Sequence, residues 1–274
     1  MVVSQKIQKC IDRLEKSKIL FSKEGFSKPI QQISIIINEL KTTQNLTTIN
    51  HAFKVLQTSF LVQYNKTSHR IQVGDFYHKR FNTVSKTNNK AFSEPVLDRY
   101  WTKVIKQRGQ ARKVIFALDP ILKRGAKTDF DKVVSCAYIY LSIIDGIYGK
   151  NLKEFVIMHT LSQFKTPNLV QLQKMDLKKI KKFFKGVPKS SCLFDGYSDV
   201  IRNAIAHSSF WYDEKTKLIN FEDRYHNRKV KITLDEFVDM VDKLSDIDIM
   251  VFYYGEIQII NLELLRAFGL LRTN

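Results

Sequence analysis

Residues 201–237 read IRNAIAHSSFWYDEKTKLINFEDRYHNRKVKITLDEF, and the hydropathy period changes twice within them. Ile201 and Ile205 lie four apart on one helical stripe. Beyond Trp211 the text shortens its period: Leu218, Ile219 and Phe221, then Val230 and Ile232 alternating with Lys229, Lys231 and Thr233. That pattern predicts a small hairpin with a polar turn near Tyr225–Asn227. Thr233-Leu234-Asp235-Glu236 is a capping box, with Thr233 as N-cap and Glu236 at N3. It opens a long helix from Leu234 to about Phe268, with apolar positions at Phe237, Val241, Leu244, Ile249, Phe252, Ile259 and Leu264. Helix, hairpin and long helix define a mainly α chain.

Reading outward, Asp129 is the expected N-cap of an apolar helix, Lys132–Ile147, ended by Gly149. Residues 151–164 continue as helix. Leu169–Phe184 reads as one amphipathic helix with Lys178, Lys179, Lys181, Lys182 and Lys185 on its wet side, stopped by Gly186-Val187-Pro188. A helix from Leu193 to His207 follows. Nearer the start, Pro29 opens a helix through Ile30, Ile33, Ile37 and Leu40, and Phe53, Leu56, Phe60 and Tyr64 mark another. Asn65–Lys90 is polar and basic, contains Gly74, and reads as a long loop or arm. Pro95 opens a further helical segment, Val96 to about Leu118. There is no internal repeat, no glycine-rich phosphate loop and no HExxH.

The chain has 274 residues, 44% hydrophobic, with only 10 Gly and 5 Pro, which describes a globular protein. Its net charge is 45 − 27 = +18. Residues 1–130 hold 24 basic and 9 acidic side chains, net +15; residues 131–274 hold 21 and 18, net +3. The charge break suggests a basic helical N-terminal region, 1–129, and a second domain, 130–274. Such an excess points to an anionic partner, nucleic acid or a membrane surface. No apolar run reaches the ~18 residues that crossing a bilayer needs, and MVVSQKIQKC has no apolar signal-peptide core. The three cysteines are far apart and odd in number, so they give neither a disulfide framework nor a zinc spacing, as expected of reduced thiols in the cytoplasm.

Lys66–Lys113 carries 12 basic and 3 acidic residues among Phe76, Tyr77, Phe81, Phe92, Tyr100 and Trp101. Cations track phosphates and rings stack on unpaired bases. Lys79, Arg80, Arg99, Lys103, Lys106, Arg108, Arg112 and Lys113 are therefore RNA-binding candidates. The other reading, with the rings in the core and only the cations exposed, stays open. His69, Asp75 and His78 lack an accepted metal spacing. His159 reads as core or helix surface, and Glu222, Asp223 and His226 as turn residues, with His226 able to approach an RNA groove.

The catalytic candidates are Arg202, Asn203 and His207. Asn203 and His207 are four apart and share a helix face. A guanidinium binds phosphate through two donors and stabilises charge developing on it. A histidine moves protons near neutral pH. An amide can hold a phosphate oxygen or an imidazole. The structural alternative is an Arg and a His satisfied by carbonyls at a helix C-terminus.

IRNAIAHSSFWYDEKTKLINF resembles the signature segment of HEPN domains, the higher-eukaryote and prokaryote nucleotide-binding superfamily. In that family an Arg–polar–…–His motif sits on a helix of an α-helical bundle, and divergent members follow it with a short hairpin and a long last helix. Ile143-Ile144-Asp145-Gly146-Ile147-Tyr148 also looks like a helix of such members. The resemblance spans residues from about 130 to 270 and does not reach residues 1–129. It implies a HEPN-like bundle acting as a metal-independent endoribonuclease, with no cofactor, that leaves a 2′,3′-cyclic phosphate and a 5′-hydroxyl. It implies RNA as substrate and a homodimer joining two copies of the motif. It also implies a place in toxin–antitoxin or antiviral defence systems, with an antitoxin or regulatory protein as partner. Arg202 would then polarise the phosphate, Asn203 would be the polar residue after it, and His207 would be the acid/base or an orienting group. Other members are non-catalytic RNA- or protein-binding modules. Toxins silenced by a nucleotidyltransferase often carry a tyrosine two residues after the His; here that position is Ser209.

Overall fold

The computed structural model describes residues 4–23, 25–87, 112 and 124–270. The chain is mainly helical, with a small antiparallel sheet just before the last long helix. It divides into two compact units: residues 1–98, 161–164 and 249–274 form the first, and residues 99–160 and 165–248 the second. This division and the charge break near residue 130 are different lines.

The first unit contains α1 (Gln5–Ser22), α2 (Ser27–Lys41), α3 (Leu46–Tyr64) and α4 (Ser68–Thr87). Ser4 caps α1, accepting the Ile7 N–H at 3.3 Å, and Asn45 caps α3, accepting from Thr47 at 2.9 Å. Its core is dense in rings. Phe21 and Phe26 meet Tyr253 edge-on at 5.3 and 5.1 Å, and Phe60 stacks on Tyr64 at 5.7 Å. Such pairs add about 0.5–1.5 kcal/mol each beyond the burial of their area.

Of the stretch expected as a loop, Asn65–Lys90, residues 68–87 form α4 instead, and 88–90 lie outside the described residues. Val73, Phe76, Tyr77, Phe81 and Val84 are all buried at helical spacing, set within polar text that hides the period. These rings are core, so for Phe76, Tyr77 and Phe81 the structural reading holds.

The first helix of the second unit with described bounds is α5 (Asp129–Ile143). Its N-cap is Thr128, one residue before the expected Asp129. Thr128 Oγ1 accepts the Asp131 N–H at 3.1 Å, and Asp131 Oδ2 accepts the Thr128 N–H at 2.9 Å. Gly149 does not end the helix. A π-helical turn, Ile144–Tyr148, leads straight into α6 (Gly149–Ser162), whose first residue keeps right-handed helical angles. The expected single helix over Leu169–Phe184 is two: α7 (Leu169–Gln173) and α8 (Leu177–Phe184). Asp176 breaks it by capping α8, accepting the Lys179 N–H at 2.8 Å. The helix expected from Leu193 shrinks to α9 (Asp199–Ala206), because Ser198 caps it, accepting from Ile201 at 3.3 Å. Gly196, just before, lies where an added Cβ would meet the Met240 carbonyl oxygen at 2.6 Å, so only glycine permits that approach.

The expected hairpin is part of a three-stranded sheet, β1 (Phe210–Asp213), β2 (Leu218–Asp223) and β3 (Arg228–Thr233), in that order. Phe221 pairs with Phe210 and Val230, and Asp223 with Arg228. Period-two alternation turns Ile219 and Phe221 inward, where Phe221 meets Phe237 edge-on at 5.2 Å. The Thr233 capping box forms as read: Glu236 N–H to Thr233 Oγ1 at 3.2 Å, and Thr233 N–H to Glu236 Oε2 at 2.7 Å. It opens α10 (Leu234–Ala267), and the division between units falls inside this helix after Asp248. No helix among the described residues is long and apolar enough to cross a membrane. Cys10, Cys136 and Cys192 form no disulfide; burial and nearby Glu263 push the Cys10 thiol up to about 12.

Candidate functional site

The site is built at the C-terminal end of α9. Val200, Ile201, Ala204 and Ile205 are buried and anchor the helix. It stops through a Schellman-type closure: Ser209 N–H bonds Ala204 O at 2.8 Å, Ser208 N–H bonds Ile205 O at 3.1 Å, and Ser208 takes φ +52°. His207 is the C-cap, its N–H bonded to Asn203 O at 3.0 Å. Its ring is exposed and makes no side-chain hydrogen bond among the described residues. Ser209 is buried, its hydroxyl given to Glu222 O at 2.6 Å, which ties the helix end to β2. It is a structural serine.

Arg202 and Asn203 open a chain of hydrogen bonds. Arg202 gives Nε and Nη2 to the two carboxylate oxygens of Asp145, each at 3.2 Å. Asp145 sits in the π-helical turn, an insertion type frequent at functional sites. Arg202 Nη1 donates to Asn203 Oδ1 at 3.2 Å, and Asn203 Nδ2 donates to Asp223 Oδ2 at 3.1 Å. Because a carboxylate only accepts, this order fixes the asparagine's amide orientation.

Asp223, at the end of β2, gathers four donors. Its Oδ2 also accepts from Arg228 Nη2 at 2.7 Å and His226 Nδ1 at 2.9 Å, and its Oδ1 from the His226 backbone N–H at 3.3 Å. Its side chain is 1% exposed. Burial favours the neutral acid, yet the bonds from Arg228, Asn203 and His226 outweigh it and hold the carboxyl well below the usual range. Arg228 also reaches Asp199 Oδ2 at 2.9 Å. Two arginines therefore meet three carboxylates, 2 − 3 = −1 with neutral histidines. Any anion approaching the Nε–Nη2 fork of Arg202 would compete with Asp145 for it.

The other candidates are scattered. Lys79 is exposed on α4. Arg80 is half-buried, donating to Phe76 O at 2.8 Å with its guanidinium 3.3 Å from the centre of the Phe76 ring. Arg112 is buried at 6% exposure and paired with Asp248 at 3.0 Å, an internal ion pair and not a surface contact. Arg99, Lys103, Lys106, Arg108 and Lys113 lie outside the described residues, as does the helix expected over Val96–Leu118. His78 bonds Tyr254 and, at 2.8 Å, Asn82; His159 sits edge-on to Phe183 at 5.8 Å. No group of three or more His, Cys, Asp or Glu side chains among the described residues could hold a metal ion.

Asp145, Asp199 and Arg228 had no place in the sequence reading of the site. Asp145 left a signal: a lone carboxylate within the apolar run from Val133 to Tyr148 needs a partner. Asp199 and Arg228 left none, since only the strand register and the helix cap bring them together. No family model, no curated protein and no solved structure matches the chain.

Proposed function

We propose that this protein is a metal-independent endoribonuclease of HEPN type, in which an internal 2′-hydroxyl of RNA attacks the adjacent phosphate. The observation that carries the reading is the arrangement at the end of α9. An exposed His207 follows a half-exposed Arg202 whose neighbour Asn203 is locked to a buried carboxylate. Arg202 supplies a forked cation for the phosphate oxygens, His207 moves a proton, and Asn203 holds the two in register. Breaking P–O5′ as P–O2′ forms needs no cofactor. A second copy of the motif in a homodimer and an inhibitory partner protein belong to the same reading, as does a role in defence.

Purified protein should cut pooled RNA in EDTA, leaving 2′,3′-cyclic phosphate ends. Arg202→Ala and His207→Ala should each lower the rate at least about a hundredfold while melting like wild type. Undiminished cleavage by both variants overturns the reading.

One observation favours a second reading, a non-catalytic RNA- or protein-binding module: both donor arms of Arg202 rest on Asp145. That module would bind RNA in a salt-sensitive manner without turnover.

A further inference from the structure

We infer that His226, backed by Asp223, is a second proton-transfer site of this centre and takes the proton of the attacking 2′-hydroxyl; this rests on the ribonuclease reading above. The side chain of His226 is 51% exposed while the carboxylate behind it is 1% exposed. An ionised carboxylate accepts only, so Nδ1 carries a proton, and in the neutral ring Nε2 is the remaining acceptor of a half-exposed side chain. Tyr225, 90% exposed, meets the ring edge-on at 4.9 Å and narrows its orientation. The same oxygen, Asp223 Oδ2, receives both His226 Nδ1 and Asn203 Nδ2. One buried atom thus joins the turn histidine to Asn203 and, through it, to Arg202.

Transesterification needs a base and an acid. His226 Nε2 takes the 2′-hydroxyl proton as O2′ bonds to phosphorus. The P–O5′ bond breaks, and protonated His207 gives its proton to O5′. One proton is taken and one given; no electrons change hands and no water is consumed. Asp223 is the positioning residue: it sets the tautomer and offsets the charge that develops on the imidazole. Besides Asp223, the charged groups near His226 are Glu222 on β2, Arg224 on its own turn, and Arg228 and Lys229 on β3; Asp199 on α9 connects through Arg228, and Arg202 through Asn203. The substrate class is RNA with a 2′-hydroxyl at the cut.

The test is His226→Asn, which keeps an N–H donor where Nδ1 stands and removes Nε2. Its kcat should fall at least about a hundredfold with KM little changed, and the rise of kcat on the acid side of the pH profile should vanish. His207→Ala should lose the opposite limb. His226→Gly should regain at least about tenfold when imidazole is added, a rescue that a turn-capping role does not give. Near-wild-type cleavage by His226→Asn with both limbs intact, beside an inactive His207→Ala, overturns the inference alone. Wild type that leaves RNA uncut in EDTA, or undiminished cleavage by both Arg202→Ala and His207→Ala, removes the ribonuclease reading and the inference with it; wild-type cleavage by His207→Ala alone overturns the inference.

Discussion

Glu256 in the first unit and Asp223 in the second are both buried carboxylates held by an arginine, and they differ in where their donors lead. Glu256 takes Arg13 Nη2 on one oxygen and the hydroxyl of fully buried Ser17 on the other, both at 2.6 Å. Those donors tie α1 to α10 and end there. Asp223 takes Asn203, Arg228 and His226, and through them connects to an exposed imidazole and to Arg202. A carboxylate whose donors turn inward holds a core. One whose donors continue to the surface holds groups in place for something arriving from solvent.

The widest split between the two comes from removing each in turn. Glu256→Ala strands a buried serine and a half-buried arginine, so it should cost about 3 kcal/mol of stability. Urea melts read that loss, and the folded fraction should still cut RNA at the wild-type rate. Asp223→Asn should behave the other way, melting nearer to wild type but cutting RNA about a hundredfold more slowly, because one amide oxygen has two lone pairs for the three side-chain donors that Oδ2 gathers, and the amide NH2 would face the His226 backbone N–H. Equal losses in both measurements for both variants would erase the distinction.

Acid separates the units next. The Asp223 carboxyl lies below its ordinary value when folded, so its stabilisation is complete above the unfolded carboxylate range near pH 4 and is lost as pH falls through the folded value. His78, in the first unit, is lowered by burial, partly countered by Asp75. The unfolded chain therefore binds its proton first, and that stabilisation begins to fade below about pH 6.5. Stability measured from pH 8 to 3 should decline in two stages. Asp223→Asn should flatten only the lower stage; an unaltered lower stage would place the acid-sensitive group elsewhere.

These contrasts also explain what the sequence could reveal. The Thr233 box, the buried stripe of α9 and the strands near Leu218 and Val230 are local, and local signals are written in residue order. Arg202, Asn203 and His207 were legible as a group because one short helix carries them. Residues 68–87 were misread because Val73, Phe76, Tyr77, Phe81 and Val84 keep helical spacing under a polar composition. The partners of the motif were hidden because Asp145 lies 57 residues from Arg202 and Asp223 lies 20 from Asn203. Only packing and strand register bring them near.

The smallest expected effect bears on Arg202 itself. Its pair with Asp145 is forked but more than a third exposed on both sides, and such pairs contribute about 0.2–1 kcal/mol. Asp145→Ala should free the guanidinium and tighten RNA binding about two- to fivefold at low ionic strength. Salt should shrink the gain, since screening reaches ~3 Å at 1 M. Fluorescence anisotropy with a short labelled RNA measures it. If Asp145 only occupies Arg202 until phosphate arrives, kcat holds as affinity rises. If Asp145 also aims the fork, kcat falls while affinity climbs. Weaker binding would show that the carboxylate positions Arg202 for RNA and does not compete with it, which would place Asp145 with Asp223 among the outward-leading carboxylates.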